Sequence, residues 1–309
     1  MLKKVGAFAP GHVSGLFYMQ DKNDDPLYAG SLGAGYSLLK GITTNIELKD
    51  SFDECGITIN GLTSDAPVSR KVLELFFREI KEDPVPIDIK HIIETPQGSG
   101  FGTSAGGALS LSMALNHLYG EPLNMINASK LAHVAEVCCK TGLGTVMGEF
   151  YGGFRILTKV GAPGIGGSLS IPYPQDLYSL CVVFGPISTK DALSDPVIRE
   201  RVMKAGKKYH SLLSENLTVE RFLEYSRAFT EDTMLYTPGV RAALDFFTAR
   251  NINASMLMFG DGIFSVIPKS EIAATVKAAE DFGSTCNGRK PEIFISAIAK
   301  RGAGIVSED

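Results

Sequence analysis

Hydrophobic positions change their period several times along this chain, and each change marks an element. Lys4–Ala9 alternates and reads as a strand that stops at Pro10-Gly11, and Gly33–Leu38 and Thr43–Leu48 read as further strands with a partner around Ile57–Ile59. From Pro67 to Lys81 the apolar residues Val68, Val72, Leu73, Leu75, Phe76 and Ile80 recur at helical spacing. Ile87–Glu94 alternates again, is rich in β-branched residues, and feeds into a glycine loop at Pro96. Helices follow over Ser104–Tyr119 and Ala128–Cys139, then a glycine turn, TGLGT at 141–145, and a strand Phe154–Leu157. The remainder predicts a strand Tyr178–Phe184 and helices Asp195–Ser214, Val219–Thr230 and Val240–Arg250. A strand pair Ala254–Phe259 and Ile263–Ile267, a helix Ser270–Phe282 and a last strand Ile293–Ala299 complete it. Strands grouped ahead of paired helices suit an α+β sandwich better than strict βαβ alternation. The most linker-like stretch, APGIGG at 162–167, places a boundary between a unit at 1–162 and one at 163–309.

Composition narrows the classes of function. A formal charge of −4 with both signs interspersed offers no basic stripe, so no nucleic acid partner is expected. No window approaches the roughly 18 apolar residues of a membrane span, and the short apolar start is interrupted by Pro10 and Gly11, so neither a membrane nor a leader is expected. The five cysteines form neither CxxC pairs nor a zinc spacing, which suits a reduced cytoplasm. Oligomeric state is left open, with a homodimer among the options.

The candidate chemistry starts at GSGFGTSAGGALS, residues 98–110. A strand, a glycine loop and a helix form an anion site, because bare N–H groups and the positive end of the helix face the same point. The Walker pattern fails because no lysine stands at the helix start, and the dinucleotide fingerprint fails because Thr103 occupies its third glycine position. Thr103 and Ser104 are left either to cap the helix or to face a nucleotide phosphate and its Mg²⁺.

The loop and its surroundings resemble the GHMP small-molecule kinases, the family of galactokinase and of homoserine and mevalonate kinases. That family's central motif runs Pro-x-x-x-Gly-Leu/Phe-Gly-Ser-Ser-Ala, and Pro96-Gln97-Gly98-Ser99-Gly100-Phe101-Gly102-Thr103-Ser104-Ala105 follows it closely. Ala9-Pro10-Gly11-His12-Val13 is similar to the first motif, and Ser255–Val266 to a weak form of the third. Within the family, PGHVSGLF at 10–17, AGSLGAGYSL at 29–38 and TGLGT resemble archaeal members that phosphorylate pantoate on the way to coenzyme A. Others of that group act on pantothenate, and residues alone do not separate the two. The resemblance implies ATP and Mg²⁺ as cofactors and a small hydroxy acid as partner. It also implies a two-lobed fold, with a ribosomal protein S5 domain 2-like N-terminal lobe and a ferredoxin-like α/β sandwich behind it.

Residue roles follow from the same resemblance. Pro96 through Ser104 would hold the nucleotide phosphates, and Ser104 with Glu136 would hold the metal; a solvated helix face is the alternative for Glu136. The family's catalytic aspartate lies seven residues ahead of a Gly-Gly pair, and counting back from Gly152 reaches Thr145 instead. Threonine is no carboxylate base. Glu149, four residues on, shares a face with Thr145 if the stretch is helical and could supply the carboxylate, while a helix-capping Thr145 with an exposed Glu149 is the structural alternative. For the acidic substrate a cation is expected among His12, Arg155 and Lys159, with Ser14 and Ser31 as hydroxyl contacts. His91, His117, His133 and His210 show no ligand spacing and read as packing or surface residues. A non-catalytic binding member of the fold, motivated by Thr145, and a nicotinamide-dependent oxidoreductase, opposed by the missing glycine, are the rival readings.

Overall fold

The computed structural model describes residues 3–20, 23–186, 195–286 and 290–306. Strand β1 (Lys4–Gln20) pairs antiparallel with β2 (Gly30–Leu48) over nearly its whole length, from Lys4 opposite Glu47 to Gln20 opposite Gly30. The break expected at Pro10-Gly11 is a shift of register inside one continuous strand, with a second shift between Ser14 and Leu16. Proline donates nothing to a ladder, so a bulge accommodates it without ending the strand. In the same way the two strands expected at 33–38 and 43–48 are two halves of β2.

The strands β3 (Ile57–Ile59), β4 (Leu62–Thr63), β5 (Ile87–Ile93), β6 (Phe154–Lys159), β7 (Gly167–Ser170) and β12 (Gly304–Val306) complete the first sheet. Its path runs β12-β1-β2-β5-β3-β4, with β6 pairing the other half of β2 and carrying β7. Against it lie α1 (Pro67–Ile80), α2 (Thr103–Leu118), α3 (Met125–Cys139) and the short α4 (Thr145–Tyr151). The second sheet holds β8 (Leu177–Pro186), β9 (Ser255–Met256), β10 (Gly260–Pro268) and β11 (Glu292–Ala297) in the order β11-β8-β10-β9. Numbered along the chain that order is 4-1-3-2 and antiparallel, the ferredoxin-like arrangement, with α5 (Pro196–Glu215), α6 (Val219–Thr233), α7 (Pro238–Thr248) and α8 (Ile272–Thr285) in the connections. Of the strand expected at 254–259 only β9 forms. The chain then turns through Phe259 in the left-handed region at φ 62°.

Two cores hold the layers. One packs Val5, Ile46 and Ile89 of the first sheet under Val72, Phe76, Leu109 and Leu115 of the helices. The other joins both sheets: Tyr36 and Phe154 of the first lie against Phe222 and Phe264, and the Tyr36 hydroxyl bonds Ser179 Oγ at 2.7 Å. Each such fully buried ring contributes about 1.5–3 kcal/mol. The change of sheet falls beyond the APGIGG stretch, after β7, and β12 brings the end of the chain back to β1.

Candidate active site

Four of the longer helices begin on a side-chain cap, while α1 and α8 start without one. Asn124 caps α3, Asp195 caps α5 ahead of Pro196, Thr218 caps α6 and Thr237 caps α7 ahead of Pro238. Helix α2 also lacks one. Its N-cap is Gly102 at φ 71°, with no side-chain cap, and among the described residues the N–H groups of Thr103, Ser104 and Ala105 meet no acceptor. The capping role open to the two hydroxyls is therefore not used. The loop that delivers this end is left-handed at Gly98, Gly100 and Gly102, with φ of 69°, 85° and 71°. It fits closely against the turn after β9: a Cβ on Gly100 would overlap the Met258 carbonyl, and one on Gly260 would overlap that of Ser99. Phe101 anchors it from below, buried with its ring 5.0 Å from Phe294, while Ser99 turns its hydroxyl back to the Gln97 carbonyl. Pro96, half-buried, leads in from β5. The result is a bare, positive helix end on a rigid loop.

Beside it stands Glu136, expected on either a metal site or a solvated face, and it is buried at 3 % exposure. Ser104 donates its hydroxyl to Glu136 Oε1 at 2.5 Å, and Thr141 donates to the same oxygen at 2.7 Å. A Cβ on Gly142 would overlap Oε2. Burial pushes the Glu136 carboxyl above its usual range, against the pull of these two hydroxyls. Among the described residues no group of three or more His, Cys, Asp or Glu could hold a metal ion. Thr141 and the Met258–Gly260 turn lie inside stretches noted in the sequence, TGLGT and Ser255–Val266, but neither is among the site residues expected from it. The signal for Thr141 was its place in the TGLGT turn, five residues after Glu136.

On the other side of Gly102 lies α4. A Cβ on Gly102 would overlap Glu149 Oε1 and come within 2.7 Å of Thr145 Cγ2 and 3.3 Å of His12 Cβ. Thr145 and Glu149 do share a face. The N-cap of α4 is Gly144, however, so Thr145 is the first helical residue and caps nothing, and Glu149 is wholly buried instead of exposed. Neither Glu149 oxygen has a hydrogen-bond partner. Burial first, and the charge of Glu136 second, raise its carboxyl well above the usual range, so the neutral acid is the favoured form.

His12 sits on β1 with its N–H bonded to the Phe101 carbonyl at 3.0 Å. Its ring lies between Gly35 and Gly148, where Cβ atoms would stand 2.5 Å from Nε2 and from Cε1 respectively. His12 as a whole keeps 8 % exposure, with Nδ1 sealed from solvent, and burial lowers its pKa to about 4. It is therefore a neutral imidazole at pH 7, which corrects the expectation of a cation there. Ser31 reaches the same face, with Oγ 2.9 Å from where a Gly144 Cβ would be and its N–H on the Leu143 carbonyl. Ser14, half-buried, is paired across the sheet with Gly35. Arg155 stands opposite Gly35 across the sheet, next to the seat of the His12 ring; its Nε bonds the Gly152 carbonyl and its Nη1 bonds Ser168 Oγ, both at 3.1 Å, with the guanidinium on the Tyr151 ring. Tyr151 and Gly152 lie at the far end of α4, about 10 Å of helix from Thr145, and Ser168 lies on β7, so the guanidinium is tied there while the Arg155 backbone borders the His12 seat. Lys159 is exposed at the end of β6. Of the other histidines, His91 is buried between Thr44 and Ser69, His133 bonds the Pro26 and Ala29 carbonyls, His210 bonds that of Leu157, and His117 pairs with Glu121. No helix among the described residues is long and apolar enough to cross a membrane.

Residues 67–153, which carry α1 through α4 and the loop, match the N-terminal domain of the GHMP kinases. The chain is 34% identical over 281 residues to the pantoate kinase of Thermococcus kodakarensis, covering 86% of this chain and 89% of that one. It is 30% identical over 266 residues to the pantoate kinase of Methanocaldococcus jannaschii, covering 86% and 93%. A solved structure described as a phosphotransferase related to the CoA biosynthesis pathway superposes with a TM-score of 0.86 over 98% of both chains, at 28% identity. With an uncapped glycine-led helix, an adjoining hydroxyl–carboxylate pair and these relatives, the chain belongs to the GHMP kinase family.

Proposed function

We propose that this kinase transfers the γ-phosphoryl group of ATP to the primary hydroxyl of pantoate, releasing 4-phosphopantoate and ADP. The observation that carries the reading is the bare N-terminus of α2, which joins Ser104–Glu136 on one side to Thr145 and His12 on the other through the single residue Gly102. The relatives named pantoate kinase supply the substrate.

The backbone from Gly98 to Ser104 takes the phosphates, with Pro96, Ser99 and Phe101 fixing the shape of the loop. Two hard oxygens, Ser104 Oγ and Glu136 Oε1, already meet at the helix start, and so small a protein contribution fits Mg²⁺, which keeps waters and substrate phosphates as its other ligands. Bound there, such an ion would neutralise charge on the nucleotide phosphates. On the acceptor side Ser14, Ser31 and the neutral His12 offer hydrogen bonds to the hydroxy acid. Thr145 faces the same point and supplies no base. Phosphoryl transfer proceeds through a loose transition state dominated by positioning and charge stabilisation, so a threonine in the aspartate's place is compatible with turnover.

A panel of pantoate, pantothenate, mevalonate, homoserine and shikimate, assayed for ADP release with ATP and Mg²⁺, tests the assignment. Release with pantoate is expected. A response to pantothenate alone would move the substrate, and silence with both, despite calorimetric binding of ATP, would make the chain a non-catalytic member of its fold.

A further inference from the structure

Two buried polar groups around α4 have no partner: the Glu149 carboxyl, beside Gly102, and His12 Nδ1, beside Gly148. Leaving such groups unpaired costs about 1–3 kcal/mol each, and their rarity in folded proteins marks a place where something else completes the site. Glu149 Oε1, Thr145 Cγ2 and the Cβ of His12 all border Gly102 of the phosphate loop, and the His12 ring runs from there to Gly148 of α4. The two unpartnered groups differ in what they can accept. A wholly buried carboxyl with no donor near it keeps its own proton, and ionising it would set an anion beside the triphosphate and the acid of the substrate. An imidazole held neutral has a free ring lone pair, and the cation it becomes is stabilised by those same phosphates.

The seat of His12 is built for the ring. Gly35 and Gly148 stand on its two sides, and any side chain at either position would displace it, while its backbone N–H is tied to the loop at Phe101. Ring, loop and α4 are therefore packed against one another.

Resting on the kinase reading above, we infer that His12 is the catalytic residue that takes the proton from the acceptor hydroxyl, the role vacated at Thr145, with Glu149 as its neutral neighbour. In this step the acceptor oxygen bonds to the γ-phosphorus, the bond from that phosphorus to the ADP oxygen breaks with its electron pair leaving on ADP, and the hydroxyl proton passes to the His12 ring. Release of products returns that proton to solvent.

The experiment compares the full-length wild type with His12→Ala, His12→Asn and Glu149→Gln in steady-state ADP release with pantoate, with and without added imidazole. Calorimetric titration with ATP checks that each variant folds and binds. Loss of the His12 ring is expected to lower kcat by about 100-fold or more with ATP affinity held within a few-fold, and imidazole is expected to restore His12→Ala by at least about tenfold. Glu149→Gln, which keeps a neutral group of the same shape, is expected to lose less than about tenfold in kcat and to ignore imidazole. A His12→Ala enzyme that keeps kcat and raises only the KM for pantoate, or that imidazole leaves unchanged, would overturn the assignment. So would a Glu149→Gln loss as deep as that of the His12 variants. Absence of turnover in the wild type would instead overturn the kinase reading and this inference together.

Discussion

Gly102 is the residue on which the two halves of the site meet. Its left-handed φ of 71° suits glycine, and the space where a Cβ would sit is filled by Glu149 and Thr145. Gly102→Ala should therefore cost about 1–2 kcal/mol from backbone conformation alone. The larger effect should be loss of ATP affinity as the loop is pushed from α4, read by calorimetric titration beside a thermal melt. His91 offers a test of the buried polar residues. Its pKa is lowered to about 4 by burial, whereas the unfolded chain protonates near 6.5. Above pH 6.5 both states are neutral, and below it the unfolded state gains a proton that the folded state refuses. The stability of the wild type relative to His91→Gln should thus fall as pH drops from 6.5 to about 4, by about 3 kcal/mol at most, in paired denaturant titrations. At this scale the glycines and hydroxyls of the loop are legible because local spacing fixes them, whereas Glu136 is reached only through the family resemblance. The burial of Glu149 and the glycine seat of His12 arise from packing between α4, β1 and β2, which no local period encodes.

Elements were legible where their period is uninterrupted. Helix α1 was expected over Pro67–Lys81 and forms over Pro67–Ile80, and β5 was expected to reach Glu94 and ends at Ile93. Misreadings cluster at glycine and proline, which stop many strands but here mark shifts of register between β1 and β2: Leu39 and Lys40 bulge opposite Pro10-Gly11, and Gly15 bulges within β1. The short partners β4, β7 and β12 have too few residues to show alternation, and pairing alone defines them. Between elements, α5 packs closely on β1, where a Cβ on Gly206 would overlap the Phe17 carbonyl. Gly206→Leu should cost about 1–3 kcal/mol or more by overpacking, visible as a lowered unfolding midpoint. An unchanged midpoint would mean that α5 is free to move off the strand.

The molecule as a whole sets the site between two sheets that share one core. The loop that follows β5 of the first sheet rests on the turn between β9 and β10 of the second, through Gly100 and Gly260. The end of the chain then returns: the Ala303 N–H bonds the Glu149 carbonyl, and Gly302 packs on Phe150. Helix α4 is thereby clasped from both ends of the sequence, which keeps Thr145 and Glu149 against the loop. An α+β architecture could be read from the order of elements, whereas the return of β12 to the first sheet could not, because it depends on contacts separated by nearly the whole chain. The most direct test of the account follows phosphorus through the reaction. In ³¹P NMR of enzyme, ATP, Mg²⁺ and pantoate, ADP and a phosphomonoester coupled to the CH₂ protons of the primary alcohol should grow in equal amounts. Unchanged ATP, or inorganic phosphate with no ester, would contradict it.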